Sequence, residues 1–277
     1  MVLPRKFDPD QEAQSSGEAS PLDAKASAAA AHASEARAGV PSADARGAEA
    51  LAGVPSPAPV AAGVMRPWYL FVHKLMYVLG RALGGLRITG LEHLPPPPFI
   101  VAANHISLFD PPVLGGVVPY EVAFIAKVEL FQNPLLGPII RSLNAFPVKR
   151  GLPDRDAIAR AITTLRGGRA LVMFPEGTRD RSALRIREPK FGVGLFAVSA
   201  QMPVVPTYMA GTNHFLRALV RAPRISVAFG PPIKPPPIPR ADDPDARRLA
   251  YEKVAADWHQ AVSQLRAAAN NRSASRR

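Results

Sequence analysis

Phe99-Ile100-Val101-Ala102-Ala103-Asn104-His105-Ile106-Ser107-Leu108-Phe109-Asp110-Pro111-Pro112 is the stretch on which the fold turns. Its first five residues form a short apolar run with the length and composition of a strand. On a helix, five residues would rotate His105 and Asp110 to different faces, so contact between them requires the chain to leave the strand before Asp110. His105 then sits on a strand-end loop. Asp110 followed by Pro111 and Pro112 has the order of a helix N-cap with proline at the first helical position. Strand, loop and helix follow one another within fourteen residues.

The same alternation continues outward. Strand-like runs occur at Leu86–Thr89, Phe99–Ala103, Val122–Ile125, Ala145–Lys149, Ala170–Phe174, Val204–Tyr208 and Ile225–Phe229. Helical patterns lie between several of them, notably Asp154–Arg166 and Gly192–Ala200, with a long closing helix from about Pro244 to Ala268. This predicts one α/β domain over residues 85–270, with a mixed, largely parallel sheet flanked by helices.

A carboxylate bonded to one imidazole nitrogen fixes the tautomer and leaves the other nitrogen free to take a proton from a hydroxyl. His105 and Asp110 are candidates for such a dyad. Equally, Asp110 only caps its helix and His105 is an ordinary loop histidine; spacing alone leaves both readings open. A second strand-end segment, Phe174-Pro175-Glu176-Gly177-Thr178-Arg179, places a proline and a glycine inside a charged turn that holds Glu176 and Arg179 where α/β folds build sites. Lys149 and Arg150 close a further strand-like run, and Lys190 precedes a glycine-bearing helix start. Such cations suit phosphate recognition, although a solvated turn accounts for them as well.

Composition narrows the chemistry. The chain has 277 residues, 47% of them apolar, enough for one sizeable core. It contains no cysteine, which excludes disulfides, thiolate zinc sites and a thiol nucleophile. The first 65 residues carry five Lys/Arg against eight Asp/Glu, so the net charge of +12 conceals +15 on the remainder. A domain this basic attracts polyanions: nucleic acid, an anionic bilayer or phosphorylated substrates. Aromatic content of 7% and the lack of a recognised motif argue against nucleic acid as a partner.

Residues 1–64 are rich in Ala, Ser, Pro and Gly and are expected to form a disordered tail, as is the basic end, 271–277. Residues 65–84 read as an amphipathic helix, with Lys74 and Arg81 on one face and Trp68, Phe71, Val72, Leu75, Leu79 and Leu83 forming a broad apolar surface. It lies in a membrane interface or packs on the domain itself. No apolar run reaches the length of a spanning helix and the extreme N-terminus lacks a signal-peptide core, so the expected location is the cytoplasmic face of the cell membrane, peripheral or monotopic.

Together these residues resemble the glycerolipid acyltransferase family typified by 1-acylglycerol-3-phosphate (lysophosphatidate) acyltransferases. Four blocks carry the resemblance in order: Asn104 to Asp110, Phe146 to Arg150, Phe174 to Arg179, and Met202-Pro203-Val204-Val205-Pro206. The second departs from the family pattern in having Pro147 and Lys149, which leaves the acceptor's identity open. The resemblance implies transfer of a fatty acyl group from acyl-CoA or acyl carrier protein to a lysophospholipid hydroxyl, with no further cofactor and no metal. It implies His105 as base and Asp110 as its partner, with Asn104, Arg150, Glu176, Gly177, Thr178 and Arg179 binding substrate. Lys149 and Lys190 join them on charge and placement. A lipid hydrolase is the rival enzyme class; the absence of a Gly-x-Ser-x-Gly elbow and of metal-binding carboxylates speaks against it.

Overall fold

The computed structural model describes residues 65–148, 154–180, 182, 185–214 and 224–274. The segment 1–64, the Lys149-Arg150 pair and residues 275–277 lie outside them. In chain order the elements are α1 (Pro67–Gly84), β1 (Arg87–Thr89), β2 (Ile100–Ala103), α2 (Asp110–Val117), β3 (Val122–Lys127), α3 (Leu136–Ser142), β4 (Ala145–Val148), α4 (Arg155–Arg166), β5 (Ala170–Met173), α5 (Gly192–Ala200), β6 (Val204–Ala210), β7 (Ser226–Phe229) and α6 (Pro244–Ala274), with short 3-10 turns between some of them. All seven expected strands are present.

The strands form one sheet in the order β1-β7-β6-β2-β5-β3-β4. From β6 to β4 neighbours run parallel, and β7 pairs antiparallel with β6 and parallel with β1. The mixed, largely parallel α/β sheet flanked by helices is therefore as expected. Strand β2 is central because its side chains are apolar on both faces. Ile100 and Ala102 join the core beneath α4, α5 and α6, whereas Val101 and Ala103 join the core that includes Leu114 of α2 and Tyr69 of α1. A strand buried on both sides needs this near-continuous hydrophobicity.

Helix α3 is one that the sequence reading does not single out. Gly137 and Pro138 obscure its periodicity, yet Pro138 falls in the first turn, where its missing N–H costs nothing. Asn133 caps that turn: its Oδ1 accepts from the Leu135 and Leu136 amides at 3.0 and 2.9 Å. Helix α6 corrects the other boundary. It continues through Ala274, past the expected end near Ala268 and into the segment 271–277 expected to be disordered, because Asn270 and Asn271 follow an Ala-rich turn with no glycine or proline to end it.

Helix α1 packs on the domain. Tyr69 is buried and its hydroxyl accepts from the Val122 amide at 3.2 Å, while His73 Nδ1 donates to the Gly115 carbonyl at 2.7 Å. Arg66 anchors the helix start: its Nε meets Glu121 at 2.8 Å and its Nη2 meets Asn144 Oδ1 at 2.7 Å. Burial raises the Glu121 carboxyl, but the Arg66 amide at 3.0 Å, Asn144 Nδ2 at 2.9 Å and the Arg66 guanidinium outweigh it and hold it below the usual carboxylate range. The outward stripe of the same helix is apolar as well, with Trp68 50%, Phe71 58%, Leu75 40% and Val78 58% exposed.

Candidate active site

Because β6, β2 and β5 are adjacent and parallel, the loops leaving their C-terminal ends converge on one edge of the sheet. The β2 loop carries His105 and Asp110. Asp110 is fully buried and is the first residue of α2. Its carboxylate does not reach forward to cap that helix; it turns back. Oδ2 accepts from the Ile106 and Ser107 amides and from His105 Nδ1, each at 2.8 Å. One oxygen thus folds the loop and orients the imidazole at once. The loop runs from strand end to helix start in six residues, which brings together two side chains that a continuous helix would separate.

The imidazole is nearly buried and stacks on Phe174, ring centroids 4.1 Å apart and planes inclined by 20°. Its Nε2 forms no hydrogen bond among the described residues. A ring held by a carboxylate at one nitrogen and an aromatic face, with the other nitrogen unengaged, can act as a base. Phe174 is the first residue after β5, which ends at Met173, one residue sooner than expected.

The β5 loop is tied to the β2 loop by the Asp180 amide, which donates to the His105 carbonyl at 2.8 Å. Glu176 is buried between them, and neither carboxylate oxygen has a hydrogen-bond partner. Burial therefore pushes its carboxyl up to about 7; the Asp180 charge adds to this, and the nearby His105 and Arg187 backbones and the Arg187 charge oppose it without meeting hydrogen-bond geometry. Gly177 has φ +70°, and a Cβ there would lie 2.9 Å from Cε of Lys190. The Lys190 side chain thus lies across the turn, and its amide donates to the Pro175 carbonyl at 2.8 Å. Arg179 is half-buried and makes no ion pair among the described residues, while Thr178 is exposed and accepts from Arg187 Nη1 at 3.1 Å.

Asn104, expected among the substrate-binding groups, is occupied elsewhere. Its amide oxygen accepts from the Met209 amide at 2.7 Å and its nitrogen donates to the Met209 carbonyl at 3.0 Å, so it clamps the end of β2 to β6. Lys149 and Arg150 follow β4 outside the described residues. No group of three or more His, Asp or Glu side chains among the described residues is placed to hold a metal ion.

An acyltransferase family profile matches residues 85–210. The 1-acyl-sn-glycerol-3-phosphate acyltransferase of Bacillus subtilis (strain 168) is 29% identical over 167 residues, covering 60% of this chain and 82% of that protein. Its namesake from Streptococcus pneumoniae (strain ATCC BAA-255 / R6) is 32% identical over 154 residues, 55% of this chain and 56% of the relative. The crystal structure of the 1-acyl-sn-glycerophosphate (LPA) acyltransferase PlsC from Thermotoga maritima is similar at a TM-score of 0.50 and 27% identity, covering 71% of this chain and 83% of that one. An acyltransferase domain therefore occupies residues 85–210. As an acyltransferase it needs a base for the attacking hydroxyl, and the matched span contains the whole His105–Asp110 loop and the Phe174–Arg179 loop.

Two residues of this candidate site escape sequence reasoning. Thr212, buried just beyond β6, donates its hydroxyl to Asp110 Oδ1. Trp258 of α6, also buried, donates Nε1 to the Ala102 carbonyl at 2.8 Å, beneath the start of the His105 loop. Each is more than 100 residues from its partner, and no local pattern marks either.

Proposed function

We propose that this acyltransferase moves a fatty acyl group from acyl-CoA or acyl carrier protein to the free hydroxyl of 1-acylglycerol-3-phosphate, forming phosphatidate. The observation that carries the chemistry is the 2.8 Å bond from His105 Nδ1 to Asp110 Oδ2, which leaves Nε2 to accept the hydroxyl proton. The acceptor oxygen attacks the thioester carbonyl, the C–O bond forms, the C–S bond breaks, and the imidazolium returns its proton to the departing thiolate. Asp110 stabilises the transient imidazolium. Arg179 and Lys190, with Lys149 and Arg150 after β4, are the cations offered to the acceptor's phosphate, and Glu176 and Gly177 shape its seat. The names of the relatives support this acceptor; another lysophospholipid would use the same dyad.

The acyltransferase is assigned to the cytoplasmic face of the cell membrane, held peripherally on an anionic surface. The outward Trp68, Phe71, Leu75 and Val78 stripe of α1 supports this, as do Leu135 and Ile139 beside it, both exposed. Trp68 Nε1 donates to Ser142 Oγ at 3.0 Å, which brings the two apolar surfaces together. The test is thiol release from oleoyl-CoA, then from acyl carrier protein, with lysophosphatidate, lysophosphatidylglycerol or lysophosphatidylcholine as acceptor. Release that depends on lysophosphatidate and vanishes in His105→Ala is expected. Dependence on a different acceptor replaces the substrate; release without any acceptor replaces the reaction with hydrolysis.

A further inference from the structure

We propose that Thr212 is a positioning residue of the transfer reaction, holding the Asp110 carboxylate at the angle that aligns His105. The two carboxylate oxygens are unequally supported. Oδ2 has three donors, from Ile106, Ser107 and His105, whereas the Thr212 hydroxyl is the donor to Oδ1. Both Asp110 and Thr212 are fully buried, so water cannot replace that donor. A carboxylate gripped through one oxygen pivots about it. The second grip fixes the plane, and with it the direction of the Nδ1 bond and of the free Nε2.

The surrounding backbone delivers Thr212 to this place. The Asn104 amide locks β2 to Met209 by two hydrogen bonds, three residues before Thr212. Gly211 then turns the chain with φ +83°, and a Cβ there would lie 2.6 Å from the Arg224 carbonyl oxygen. Asn104, next to the base in sequence, thus serves it through the neighbouring strand β6.

The proposal rests on His105 being the base. Steady-state kinetics of the full-length protein with oleoyl-CoA and lysophosphatidate are compared for Thr212→Val, Thr212→Ser, Asp110→Asn and the Asp110→Asn/Thr212→Val pair. Val matches Thr in shape and lacks the donor, so kcat is expected to fall about tenfold or more with both KM values unchanged. Ser retains the hydroxyl and is expected to restore most of kcat. In the Asp110→Asn background, where no carboxylate orients the ring, the further loss from Thr212→Val is expected to shrink. A wild-type kcat in Thr212→Val, failure of Ser to rescue, or an undiminished loss in the Asn background each overturns the proposal. If Thr212→Val does not fold, Thr212→Ala, which also lacks the donor, takes its place. An active His105→Ala enzyme overturns the base reading itself, whereas an inactive one beside a fully active Thr212→Val overturns only the role of Thr212.

Discussion

Burial without hydrogen bonds holds the Glu176 carboxyl at about 7, so the folded protein takes up a proton there that the unfolded chain has already lost. The stability associated with that proton is present below the unfolded carboxyl's range and is lost as pH rises toward 7 and beyond. Glu176→Gln removes the charge and keeps the shape. After discounting for solvent screening, it is expected to stabilise the fold by ~1–2 kcal/mol at pH 8 and by little at pH 4, read from thermal melts at both. Its transfer activity is expected to fall, as the proposed place of Glu176 at the acceptor's seat requires. Among the described residues Arg179 has no ion-pair partner to lose. Arg179→Ala is expected to raise the acceptor KM by roughly tenfold, with a smaller effect on kcat, as the loss of a charge-assisted contact to phosphate requires. At this scale the residue types of the site were legible, because strand-end His, Asp, Glu and Arg stand out against apolar runs. Thr212 and Trp258 were not, because no local pattern marks either and only the folded neighbours give them a part.

At the scale of elements, adjacent glycines in α2 separate helix propensity from packing. A Cβ on Gly116 would meet the Tyr77 amide nitrogen of α1 at 2.8 Å and Met76 Cβ at 2.9 Å, whereas one on Gly115 would meet Phe124 at an ordinary 3.4 Å. Alanine improves helix propensity by up to ~1 kcal/mol at either position. Gly115→Ala is therefore expected to be neutral or mildly stabilising. At Gly116 the overpacking cost of about 1–3 kcal/mol outweighs that gain, and Gly116→Ala is expected to lower the denaturant midpoint. Since Asp110 begins α2, the same substitution is expected to reduce activity by tilting the carboxylate. The strands and the longer helices were readable because their apolar periods match burial. Helix α3 was not, since its stability comes from the Asn133 cap and from a close approach of Gly137 to the Phe131 carbonyl.

At the scale of the whole molecule, one stripe of α1 packs on the domain, and the other, with Trp68, Phe71, Leu75 and Val78 exposed, is the surface of the proposed membrane contact. No helix among the described residues is long and apolar enough to cross a membrane. Trp68→Ser/Phe71→Ser/Val78→Ser, all on the outward stripe, is expected to weaken binding to phosphatidylglycerol vesicles in a flotation assay while leaving the far-UV spectrum unchanged. Residual binding of the variant is expected to fall further with added salt, because the +15 on residues 66–277 attracts anionic lipid over a Debye length of about 8 Å at physiological ionic strength. Unchanged binding of the triple variant would remove α1 from the membrane contact.

By itself the sequence determined the class of fold, the places of the strands and the loops that hold the side chains of the candidate site. Those features depend on local composition and period, which a chain carries whether folded or not. Tertiary structure alone decided that Asp110 reaches back to His105 and not forward into its helix, that Asn104 clamps β6, and that Thr212 and Trp258 meet residues more than 100 positions away. It decided too that Glu176 is buried without a hydrogen-bond partner among the described residues. Such pairings follow from which strands lie side by side, and the order β6-β2-β5 joins parts of the chain that no local pattern connects.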